Sequence, residues 1–191
     1  MVDTYFLRKI AHVGLGALTL YLIFVVENAY DHATVLWLAF IALLLFLIID
    51  FLRIELNVRI PIFSDLQKEK EQKRMIAITY ATLGILLVLY FYPLEIALAA
   101  LGMSYFGDPA AAIVGKRWGT KKVWKEKTMQ GIVANFVVCI VVGLFFLNSI
   151  LSILIMALAA SFIELFMDHL EDNLYVPVFA GVIGVLLSYI I

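Results

Sequence analysis

Fourteen cations and fifteen carboxylates sit in a chain that is otherwise mostly apolar, and many of them fall in four short clusters. Arg8, Lys9 and His12 open the first apolar run as RKIAH, with Arg8 and His12 four apart on one helical face. Asp50 and Arg53 close the second run as DFLR. Asp108 stands beside Pro109 inside GDPAAAIVG, and Lys116, Arg117, Lys121, Lys122, Lys125 and Lys127 follow it. In ELFMDHLEDN, the acids Glu164, Asp168, Glu171 and Asp172 are spaced 4, 3 and 1 apart, one face of a helix if the sixth helix continues through them.

Each cluster has a plain explanation and a chemical one. Arg8 and Lys9 can reach lipid headgroups while their stems stay apolar; His12 lies a turn deeper, where an ionisable group is expensive. Asp50 and Arg53 can neutralise each other. Asp is a good helix N-cap and Pro is favoured at the first helical position, so Gly107-Asp108-Pro109 reads as a break in the fourth helix and the start of a half-helix, Pro109–Arg117. Such a terminus presents free N–H groups and a positive dipole end, which suit an anion. The basic stretch after it either meets anionic headgroups or clamps phosphates. It is not a Walker loop, which needs Gly at Ala110 and Ser or Thr at Arg117. The acidic run repels itself unless lysines or a divalent metal neutralise it, and oxygen ligands suit Mg²⁺ or Mn²⁺ better than zinc. A solvated acidic cap accounts for Glu171 but not for the deeper Glu164. Cations for phosphate oxygens, carboxylates for metal and a helix end for anions together form the set that phosphoryl or nucleotidyl transfer requires.

The elements that must position these groups are membrane helices. The chain has 191 residues, is 64% hydrophobic and 15% charged, and has a mean hydropathy of +1.03. Its apolar runs reach about 17–22 residues, enough to cross a ~30 Å hydrocarbon core. We expect one domain, residues 1–191, all-α and polytopic, with about seven helices: Ile10–Val26, Thr34–Ile54, Met75–Tyr92, Leu94–Arg117, Gly131–Leu147, Ser149–Asp168 and Leu174–Ile191. The first run reads as a span, not a cleaved leader. The odd-numbered connections hold no Lys or Arg, so all 14 cations fall on one side, which the positive-inside rule makes cytoplasmic, together with the N-terminus. A multi-pass protein of the cell or ER membrane follows, its polar site facing the cytoplasm. The lone Cys139 rules out an intrachain disulfide and a cysteine metal site.

RKIAH, DFLR, GDPAAAIVGKRWGTKK, KTMQG and ELFMDHLEDNLYVP, in this order, resemble the CTP-dependent lipid kinases: dolichol and polyprenol kinase, phytol kinase and the yeast-type diacylglycerol kinase. The wider superfamily includes CDP-diacylglycerol synthase. The resemblance implies a seven-helix enzyme that phosphorylates a lipid alcohol with CTP and a divalent cation. It carries Asp108 onto the catalytic Gly-Asp-Pro element, Lys127 and Thr128 onto the Lys-Ser/Thr element near the nucleotide phosphates, and Asp172 and Asn173 onto the Asp-Asn element. It also leads one to expect Glu where Gln130 stands, and Gln is no base and a weak metal ligand.

The expected catalytic residues are therefore Asp108, Asp172, Lys127 and Glu164. Nucleotide binding is assigned to Lys116, Lys121, Lys122, Lys127, Thr128, Asn173, Arg8, His12 and Arg53, and Mg²⁺ or another divalent cation to Asp108, Asp172 and Asp168. Partners are a lipid alcohol, a nucleotide and membrane lipids, not nucleic acid; a homodimer is left open. A polyprenol, dolichol, geranylgeraniol or phytol is the first acceptor considered. Cytidylyl transfer to give a CDP-lipid, diacylglycerol phosphorylation, and a transporter or scaffold are the alternatives.

Overall fold

The computed structural model describes residues 4–58, 74–166 and 172–190. It is an all-α membrane protein, with seven helices among these residues: α1 (Thr4–Ala29), α2 (His32–Ile54), α3 (Ala77–Phe91), α4 (Leu94–Trp118), α5 (Met129–Phe146), α6 (Ile150–Phe166) and α7 (Asp172–Ser188). A small antiparallel hairpin, β1 (Lys122–Trp124) and β2 (Lys127–Thr128), joins α4 to α5. By length and composition four helices can cross a membrane: α1 from Arg8, α2, α4 and α5. The other three are apolar but have 15 to 17 residues, about 22–26 Å at the α-helical rise.

The ends follow local chemistry. Asp31 caps α2 by accepting from the Thr34 amide at 2.7 Å. That exposed contact, with the Thr34 hydroxyl, holds the Asp31 carboxyl below its ordinary range. Ser149 Oγ accepts from the Ser152 amide at the start of α6. Pro93 precedes α4, whose first turn needs no N–H from it.

α4 is the central helix and packs on α1, α5, α6 and α7. Its first half, rich in Ala and Gly, lets these neighbours approach closely. The core beside it contains Met103, Cys139, Met156, Ala157 and Ala160; a second cluster, with Leu20, Val88, Leu89 and Leu101, ties α4 to α1 and α3.

The expected break at Gly107-Asp108-Pro109 is corrected. α4 runs unbroken from Leu94 to Trp118 with Pro109 inside it. Proline removes one amide donor, a loss that a helix shielded by its neighbours tolerates. Gly107 serves packing, not a turn: a Cβ there would lie 3.0 Å from both Asn135 Oδ1 and Cys139 Sγ on α5, and no described glycine has positive φ. In the basic Lys116–Lys127 stretch, residues 116–118 end α4 and the hairpin begins at Lys122, with Lys125 at φ 47° in its turn.

Candidate functional site at one end of the bundle

Four charged side chains from four elements pair up at the end of the bundle that holds the start of α1. Lys9 Nζ on α1 lies 2.5 Å from Asp108 Oδ2 on α4. Lys127 Nζ on β2 lies 2.6 Å from Glu164 Oε1 on α6 and also donates to the Glu164 carbonyl. Asp108 is 7% exposed and Glu164 3%, so neither carboxylate can rely on bulk water for its solvation. The lysines supply that compensation, and each ties two elements that are distant in sequence.

A cavity of about 440 Å³ adjoins both pairs. Asp108, Lys116, Lys122, Lys127, Thr128 and Glu164 line it, together with the close seam between α4 and α5 at Ala111, Gly115 and Gly131. That seam needs glycine: a Cβ on Gly131 would come within 2.8 Å of the Ala111 carbonyl. Thr128 is the N-cap of α5, its hydroxyl accepting from the Gly131 amide at 3.2 Å. The helix terminus beside the cavity is therefore that of α5, not a half-helix beginning at Pro109. The positive dipole end expected for an anion is present, but one helix away.

The hairpin is held over this end of the molecule by Trp124, whose ring meets that of Phe166 edge-on at 5.5 Å, and by Lys127. Gln130 donates to Thr120 Oγ1 at 2.5 Å and accepts from the Thr120 amide at 3.2 Å, bracing the segment between α4 and β1. Below Glu164, Asn135 Oδ1 accepts from Ser161 and from Cys139, a buried polar link between α5 and α6.

The other expected residues fall elsewhere. Lys121 is exposed and does not line the cavity; its carbonyl accepts from the Met129 amide. Arg8 is exposed, because adjacent residues on a helix point about 100° apart and Lys9 takes the inward direction. Arg53 donates to Asp50 at 2.9 Å and to the Arg74 carbonyl. Asp50 also accepts from the Ile76 amide and from Thr79 Oγ1, capping α3 from a neighbouring helix. This network fastens α2 to α3 and contributes nothing to the 440 Å³ cavity. Asp172, 2% exposed, opens α7, where its charge suits the helix dipole and Oδ1 accepts from the Asn173 amide. Neither Asp172 nor Asn173 lines that cavity; Asn173 and His12 line a second one. Asp168 and Glu171 lie outside the described residues.

Among the described residues, no three His, Cys, Asp or Glu side chains converge as a metal site; Asp168 of the expected set Asp108, Asp172 and Asp168 lies outside them. Two carboxylates facing one cavity, Asp108 and Glu164, still match the way Mg²⁺ is usually held, by one or two carboxylates and substrate phosphates. Lys9 is the site residue that sequence reasoning passed over; its spacing of three from His12 was the signal available.

Fold and site thus define a membrane protein with a cavity lined by lysines and carboxylates at one end of its helical bundle. Its relatives are CTP-dependent lipid kinases. The chain is 27% identical over 144 residues to CTP-dependent diacylglycerol kinase 1 of Saccharomyces cerevisiae, covering 70% of this chain and 47% of that protein. It is 30% identical over 78 residues to CTP-dependent diacylglycerol kinase 1 of Schizosaccharomyces pombe, covering 40% of this chain and 36% of that one. The chain spans less than half the length of either relative. No family model and no solved structure matches it.

Proposed function

We propose that this protein transfers the γ-phosphoryl group of CTP to the hydroxyl of a membrane lipid, with diacylglycerol as the first acceptor to test. The observation that carries the reading is the 440 Å³ cavity, where Lys116, Lys122 and Lys127 face Asp108 and Glu164 beside the N-terminus of α5. Polyanion binding needs those cations and amides, and phosphoryl transfer consists largely of positioning and charge neutralisation. CTP and a diacylglycerol acceptor are taken from the two relatives, which favour diacylglycerol over the polyprenols considered first.

In this reading the acceptor oxygen attacks the γ-phosphorus. The new O–P bond forms as the bond from the γ-phosphorus to the β,γ-bridging oxygen breaks, CDP leaves, and the hydroxyl proton passes to Asp108. Lys127 and Lys116 hold phosphate oxygens. Asp108 and Glu164 would hold a divalent ion, which would supply neutralisation of triphosphate charge. The end of the bundle carrying the cations faces the cytoplasm, where CTP is available.

The test is label position. Detergent-purified protein is given diacylglycerol, dolichol, a shorter polyprenol, phytol or, as the acceptor a cytidylyltransferase needs, phosphatidic acid, each with γ- or α-labelled CTP. Label from the γ position alone should enter phosphatidic acid. Label from the α position in the lipid would replace the kinase by a cytidylyltransferase, and failure to label any lipid would remove both.

A further inference from the structure

A second cavity, of about 550 Å³, lies between α1, α2 and α3. It extends from His12 and Asn173 at the charged end to Val26, Val35 and Leu89 at the other. His12 to Val26 is fourteen residues of α1, about 21 Å, so the cavity follows much of a ~30 Å hydrocarbon core. Its volume falls within the roughly 300–1,000 Å³ of small-molecule sites. The space exists because small residues line it: Ala39 and Ala42 on α2, Ala77 and Ala81 on α3, and Gly16 on α1.

Its polarity is confined to one end. Thr19 and Thr82 also line it, but their hydroxyls donate to the Leu15 and Ile78 carbonyls of their own helices, at 2.9 and 2.6 Å. What remains is His12, Tyr105 and Asn173. His12 Nε2 is buried and has no hydrogen-bond partner among the described residues, a costly arrangement for a ring nitrogen unless a ligand completes it. His12 packs edge-on to Tyr105 at 6.1 Å and lies within the electrostatic field of Asp108 and Lys9. Asp108, whose charge acts on His12, lines the neighbouring cavity.

We infer that this cavity holds a hydrocarbon chain of the acceptor lipid and that His12 Nε2 hydrogen-bonds the hydroxyl to be phosphorylated. The inference rests on the kinase reading and adds where the acceptor binds. His12 is thereby moved from the nucleotide to the acceptor. A chain entering between α1, α2 and α3 has its polar end at the part of the cavity lined by His12, Tyr105 and Asn173. That end is beside the carboxylate assigned to take the proton.

The test uses a diacylglycerol with a photoreactive diazirine near the end of one acyl chain. In wild-type protein, cross-links should map to α1, α2 and α3 near Val26, Val35 and Leu89, a readout that needs no turnover. Ala42→Phe and Ala81→Phe should raise KM for a long-chain diacylglycerol at least tenfold, affect dioctanoylglycerol less, and leave KM for CTP unchanged. His12→Ala should reduce transfer without changing CTP binding. Cross-links elsewhere, or an unchanged long-chain KM in both filled variants, would overturn the inference while leaving the kinase reading intact. Wild-type protein that cross-links at these helices but transfers no phosphate would sink the kinase reading instead. If a filled variant misfolds, the wild-type cross-links decide.

Discussion

Lys9 and Asp108, ninety-nine positions apart, meet at 2.5 Å between the first turns of α1 and the middle of α4. The pair joins α1 to the central helix, and Asp108 lines the 440 Å³ cavity. Asp108→Asn keeps shape and removes only charge and basicity. It should leave the protein folded and cut γ-phosphoryl transfer by about 10²–10⁴-fold, the usual contribution of a positioned acid or base. Lys9→Met should act on folding, because it leaves a largely buried carboxylate without its ammonium, a change that costs roughly 3–5 kcal/mol in buried pairs. Thermal unfolding in detergent reads the second effect and labelled CTP the first. An active Asp108→Asn protein would take Asp108 out of the mechanism.

Lys127 links the hairpin to Glu164 and also faces the proposed nucleotide cavity. A hydrogen bond to a charged group contributes about 1.5–3 kcal/mol, so Lys127→Ala should weaken CTP binding by about 10–100-fold. Lys121→Ala, at an exposed position outside the cavity, should change it less than twofold. Titration with a fluorescent CTP analogue separates the two; equal losses would show that diffuse positive charge, not the hairpin's geometry, binds the nucleotide.

Arg53 looked like a site residue because it is a cation at the entry to a membrane helix, but its partners are Asp50 and the Arg74 carbonyl. Arg53→Ala should lower the unfolding temperature and leave KM for CTP within about twofold, since surface-remote structural changes act on folding. A selective loss of CTP affinity with unchanged stability would return Arg53 to the site.

The helices were legible because apolar runs of membrane length are strong signals, and because charges mark their ends. The unbroken α4 was not. Proline beside a carboxylate gives the same local signal whether it opens a helix or sits inside a shielded one. Only the approach of Asn135 and Cys139 to Gly107 distinguishes the cases. The hairpin escaped notice because VWKEK lacks the Gly or Asn-Gly that marks tight turns; Lys125 takes positive φ itself. Asp108, Lys127 and Glu164 were identified by type. Their pairing, and the choice of Lys9 over Arg8, depend on which way each helix faces in the bundle.

Divalent-metal dependence is open to a direct check. Chelation with EDTA should abolish transfer, and Mg²⁺ should restore it. Glu164→Gln should raise the Mg²⁺ concentration needed for half-maximal rate, since an amide is a weaker ligand than a carboxylate. Full activity in EDTA would remove the metal from the proposal.

Gln130 is where the chain departs from the pattern it resembles, and its contacts suggest a reason that can be tested. One amide both donates to Thr120 Oγ1 and accepts from the Thr120 amide, and Thr120 lines the cavity. A carboxylate could do only the second, though the threonine hydroxyl could then turn and donate to it. Gln130→Glu should therefore cost about 1 kcal/mol or less and leave transfer within a few-fold of wild type. Gln130→Ala loses both bonds and frees the segment between α4 and β1, so it should raise KM for CTP with little change in kcat. The opposite result is equally informative. If Gln130→Glu increased kcat tenfold or more at saturating Mg²⁺, the position would be a vacated carboxylate site, and bracing Thr120 would not be its main role.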